Sequence, residues 1–166
     1  MNSTTAPAST ASLFEQQHEQ LDAQLHAHLL DVIGGDFEAA LQRLQLWRTA
    51  LARHIDIENT LLLPHIPEGA RWAERVYRVE HDRIALLADE YLDRVRAAAR
   101  CRPQPQDGRE RREAILALVD SAHALRHVLE HHHEREHTAL AHELPLDIQL
   151  AAWSGSGPDA PESSPD

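Results

Sequence analysis

Residues 54–64, HIDIENTLLLP, break a leucine seam with His54 and Glu58, four positions apart. On an α-helix that spacing puts both side chains on one face, one turn apart, so a nitrogen and an oxygen can meet at one point. Upstream, Ala40, Leu44, Trp47 and Leu51 alternate at four and three residues and lead into His54 and Glu58, with Leu61 beyond. This is the period of a buried helix face. Asp36 is placed to cap the start of this helix and Pro64 to stop it. The arrangement returns near the other end of the chain. Ile115, Leu118, Ala122, Leu125 and Leu129 lead into His132 and Glu136, then Ala139, on a helix expected from about Arg109 to His142.

Two further helices have the same seam with one candidate ligand each, His18 and His81. Ser12-Leu13-Phe14-Glu15 reads as a capping box that starts the first, whose seam is Phe14, His18, Leu21, Leu25, His28 and Val32. Leu29 and Leu30 widen that seam, and Gly34-Gly35 ends it. The other helix spans about Ala70 to Arg100 on Tyr77, His81, Ile84, Ala88, Tyr91 and Val95, followed by the loop CRPQPQDG at 101–108. Residues 146–153 read as a short apolar cap over the bundle end. Four amphipathic helices with short connections imply an all-α protein, an antiparallel up-down-up-down four-helix bundle. The expected division is a loose leader at 1–11, the bundle at 12–153 and a disordered tail at 154–166.

Composition narrows the function. The net charge is −11, every one of the 16 basic residues is Arg, and there are 13 His. Such acidity speaks against nucleic acid and anionic membrane surfaces as partners. No apolar run approaches the ~18 residues of a membrane span. MNSTTAPAST at the start has neither the basic nor the apolar region of a secretory signal, and Cys101 is the single cysteine. A cytoplasmic protein, monomeric or weakly dimeric, is the expectation.

At about 1.5 Å per residue, His54, His81 and His132 fall roughly 14–16 Å from one end of the bundle, and His18 about 9 Å. His18, His54, Glu58, His81, His132 and Glu136 therefore converge, given a modest shift of the first helix. Burying four imidazoles and two carboxylates without partners costs several kcal/mol per unpaired ion. Two metal ions, each on two His with both Glu bridging, remove that cost. Imidazole and carboxylate together suit iron or manganese, with zinc as a possible substitute. A hydrogen-bonded polar layer is the plain alternative.

On these residues the chain resembles the hemerythrin-like (HHE cation-binding) domain family. The matching text is HEQLDAQL from His18, HIDIENTLLLP from His54, EHDRIALL from Glu80 and HHEREHTAL from His132, across roughly residues 12–143. The resemblance implies a four-helix bundle around a non-haem di-iron centre that binds or senses O2 or NO, or protects and repairs iron–sulfur proteins. Oxygen carriers of the family place a second His four residues after the one on the third helix. Ala85 stands there, which brings this chain closer to the iron-centre repair branch. Asn59 and His137 stand where relatives often carry a second Glu, a change expected outside the ligand set.

His133-Glu-Arg-Glu-His137 matches the H-E-x-x-H pattern of zinc proteases, but shares its face with Arg126 and Glu130 rather than with the leucines. His131, His133, His137 and His142 are expected as a solvated surface, and His28 as a hydrogen-bonded core histidine. His26, His65, His123 and His127 read as surface or outer positions. Trp47, Tyr77 and Tyr91 read as packing. The functional expectation is a di-iron protein that binds or senses a small diatomic ligand or handles iron in stress defence. The alternatives are a di-iron enzyme reducing peroxide or NO, and a metal-stabilised interaction module.

Overall fold

The computed structural model describes residues 10–101 and 108–155, and among them it is all-helical, with no strand. Helix α1 spans Thr10–Gly34, α2 Phe37–Ile57, α3 Glu74–Arg100 and α4 Gly108–Arg135. Short elements follow α2 and α4. A π-helical turn at Glu58–Leu62 leads into a 3-10 turn at Leu63–His65. A second π-helical turn at Glu136–Leu140 leads into the single turn α5, Ala141–Glu143, and then α6, Leu146–Ser154. Helix α1 packs on α2 and α4, α2 on α3, and α3 on α4, while α6 covers α1 and the first π turn.

The expected seams of the four long helices are buried, apart from the half-buried Ile115 and the outward-turned Leu61; of the two residues expected to widen the first seam, Leu29 is half-buried and Leu30 points out to solvent. They form two apolar clusters. One runs from Leu21 to Val32 on α1, to Leu51 on α2, from Ile84 to Val95 on α3 and from Leu118 to Leu129 on α4. The other gathers Phe14, Leu62, Leu63, Tyr77, Leu140 and Trp153 near the far end. On every long helix the His and Glu positions fall between the two.

Several boundaries differ from expectation. Helix α1 runs through Ser12 from Thr10, so Ser12 is not its cap, and the proposed leader lies in the helix at 10–11 and outside the described residues at 1–9. Helix α3 starts at Glu74 and not at Ala70: the Ala70 N–H closes a turn on the Pro67 carbonyl, Ala73 is extended, and the Arg71 N–H between them donates to the Glu143 carboxylate at 2.7 Å. Pro64 lies inside the 3-10 turn, near whose start a missing N–H is tolerated. Most of the expected loop, 102–107, and of the expected tail, 156–166, lies outside the described residues.

The largest difference is the pair of π turns. The Glu58 carbonyl accepts from the N–H of Leu63, and the Glu136 carbonyl from that of Ala141, five residues on in both cases. Each residue of a π turn rotates the chain by less than in an α-helix. Leu61 is therefore left pointing out, 47% exposed, and Leu62 and Leu63 are both brought inside.

Candidate metal centre

His18, His54, Glu58, His81, His132 and Glu136 are all buried, and both carboxylates have no exposed surface. Their donor atoms form two sets, each with all four atoms within 4.8 Å of one another. In the first, His18 Nε2 lies 3.1 Å from Glu136 Oε2, and His54 Nε2 lies 3.1 Å from Glu58 Oε1. In the second, His81 Nε2 lies 3.1 Å from Glu58 Oε2, and His132 Nε2 lies 3.2 Å from Glu136 Oε1. Each glutamate thus gives one oxygen to each set. Two donors at right angles around a cation about 2.1 Å away stand about 3.0 Å apart, so these spacings suit a metal ion.

Hydrogen bonding does not explain the cluster. All four carboxylate oxygens, with His18 Nε2 and His54 Nε2, are buried and make no hydrogen bond. The outer nitrogens assign a proton on two rings. His81 Nδ1 meets Asn59 Oδ1 at 2.9 Å, and His132 Nδ1 meets Glu80 Oε2 at 3.0 Å. Both partners only accept, so Nδ1 carries a proton, and each ring when neutral turns a lone pair inward. His81 Nε2 and His132 Nε2 then face one another at 3.1 Å. Two lone pairs at that distance repel, so a proton on one ring or a metal ion beside both must relieve the contact. His18 Nδ1 meets His137 Nε2 at 2.8 Å, which leaves His18 Nε2 to face Glu136.

The electrostatics agree. Burial opposes a charge on His132, yet Glu136, Glu80 and Glu58 outweigh it and push the ring up to about 10. Burial likewise opposes charge on His54 and His81, and the two glutamates raise both. Burial raises Glu58 and Glu136, but the histidines around them hold both below the ordinary carboxylate range. The pocket is built to stabilise positive charge between two carboxylates.

The outer contacts include residues the sequence reading placed in solvent. His133 is 7% exposed, and its ring stacks on His18 with centroids 3.8 Å apart. His137 is half-buried on the same ring. Helix α1 packs against His133 and His137 on this flank of α4, while Arg126 and Glu130 of the same face stay exposed. Burial, with His18 beside it, pushes His133 down to about 2, so it stays neutral. His133 and His137 belong to neither donor set, and the H-E-x-x-H pattern forms no metal group among the described residues. His26, His65, His123, His127, His131 and His142 are exposed as expected. Trp153 of α6 stacks on His54 at 5.2 Å, so the apolar cap reaches the site.

Compared with known proteins, the chain matches no family model, no curated protein and no solved structure. No helix among the described residues is long and apolar enough to cross a membrane.

Proposed function

We propose that the chain is a dinuclear non-haem metal protein of the hemerythrin-like kind, with His18, His54, Glu58, His81, His132 and Glu136 as ligands. The carrying observation is the division of each carboxylate, one oxygen to each of two buried four-atom donor sets. The reading includes an up-down-up-down course of α1 to α4. Contacts between the end of α1 and the start of α2 (Asp31 with Arg43), and between the start of α1 and the end of α4 (His18 with Glu136), support it.

The nitrogen and carboxylate donors, with no thiolate, favour two iron ions, with manganese or zinc as substitutes. Ferrous iron would supply electron density and an open position for a diatomic ligand such as O2 or NO. The chain's own part is to hold and shield. Glu58 and Glu136 span the two positions, Asn59 and Glu80 fix the tautomers of His81 and His132, His137 orients His18, and the two apolar clusters limit water. The roles this suits are sensing, stress defence or iron-centre repair.

The test is metal analysis with an optical spectrum of aerobically purified protein. About two irons per chain and near-ultraviolet bands of a bridged pair are expected. His54→Ala should lose about one ion and Glu58→Ala both, because Glu58 serves both positions. Unchanged metal content in both variants overturns the assignment. Turnover of peroxide or NO by the loaded protein would favour the enzyme reading.

A further inference from the structure

The two donor sets are related by a rough two-fold echo in the chain. His18 corresponds to His81, and the His54/Glu58 pair to the His132/Glu136 pair. The residue after each glutamate bonds the lone histidine of a neighbouring helix: Asn59 holds His81 and His137 holds His18. The residue before each lone histidine is the next pair in the echo, and here it breaks. Glu80 accepts from His132 Nδ1 at 3.0 Å and is itself held by Arg135 at 2.9 Å, whose guanidinium lies over Trp72 at 4.3 Å. Its counterpart is Gln17, which is half-buried and makes no hydrogen bond to His54. His54 is held instead by ring stacking on Trp153.

A carboxylate on the outer nitrogen fixes a histidine ligand and makes it a stronger donor. An amide does so less, and a stacked ring fixes orientation without strengthening donation. The surroundings of His18 also include an open space. A cavity of about 640 Å³ lined by residues of α1 and α4 has His133 and His137 in its wall, the two rings that stack on and bond His18.

From this broken symmetry we propose that the two metal positions are unequal: the His81/His132 position is the tight one, and the His18/His54 position is the exchangeable one. The inference rests on the two-metal reading above and assigns Glu80 as the positioning residue that sets the difference. His133 and His137 stand between the α1/α4 cavity and His18, so exchange at this position is proposed to proceed past those two rings.

Titration of metal-free protein with Co(II), followed by its visible bands, tests this. Wild type should take up two equivalents in two resolved steps. His18→Ala should keep the tight step and His81→Ala only the weak one. Glu80→Gln, which preserves shape, should weaken the first step about 10- to 100-fold and narrow the gap. Gln17→Glu should strengthen the second step. Far-ultraviolet circular dichroism should show unchanged helicity in each variant. Two equivalents of equal affinity overturn the inequality, a first step that Glu80→Gln leaves in place overturns the role of Glu80, and either result leaves the two-metal reading intact. Fewer than two equivalents in wild type overturns both.

Discussion

His28 and His18 occupy the same α1 seam, yet they do different work. The carbonyl of Ala40 only accepts, so His28 Nδ1 donates to it at 2.8 Å. His28 Nε2 then accepts from the Tyr91 hydroxyl at 2.8 Å. A neutral His28 is fully satisfied, which is the core role its position predicted. Tyr91→Phe removes the donor and leaves a buried nitrogen unpaired. The expected cost is about 1–3 kcal/mol, read from the urea midpoint with metal content unchanged. A neutral result would show that the bond contributes nothing. Burial lowers His28 below 6.5, only partly opposed by its bond to Ala40 and by Asp31. Below pH 6.5 the unfolded chain therefore binds this proton before the folded one does, and stability falls as pH falls. An NMR titration should find the folded ring's midpoint below 6.5. A midpoint of 6.5 or above in the folded protein would rule this out.

At the scale of elements, the α1–α2 turn was readable. Gly35 has φ 73°, a conformation that strains other residues, and the Asp36 side chain accepts from the Ala39 N–H at 3.0 Å. Arg111 donates to the Gly35 carbonyl at 2.9 Å and fills the space where a Cβ would go. Asp36→Ala should cost about 1 kcal/mol and Gly35→Ala about 1–2 kcal/mol, both by chemical denaturation. An unchanged midpoint in either would refute the cap or the strain. The π turns were not readable. Leu61, Leu62 and Leu63 are equally apolar, so sequence alone cannot say which two face inward. The turn that buries Leu63 is decided by packing against Phe14, Tyr77 and Trp153. Both π turns begin on the two residues proposed to bridge, and such turns recur at functional sites.

For the whole molecule, the polar layer between two apolar clusters is the least stable part of the core without metal. Its carboxylates lack hydrogen-bond partners and its histidines must hold protons. Metal at 100 times its Kd adds about 2.7 kcal/mol per ion. For a chain this size, chelation should then lower Tm by roughly 5–10 °C per ion. A scan with and without chelator measures it, and an unchanged Tm would deny the layer any metal-dependent role in stability. Helix α6 belongs to the same unit. Gln149 donates to the carbonyls of Ala141 and Leu144 at 3.1 and 2.9 Å, which fixes the helix so that Trp153 rests on His54.

The sequence by itself determined the all-helical class, nearly all of the buried seam and the six residues that meet in it. Each of these follows from a period of 3.6 residues, which is local. Only the tertiary structure decided that His133 and His137 lie against His18, because burial on that flank depends on where α1 packs. It alone decided that Glu80 supports His132 while Gln17 leaves His54 to Trp153. Those contacts join residues far apart in the chain, and no spacing along a single helix encodes them.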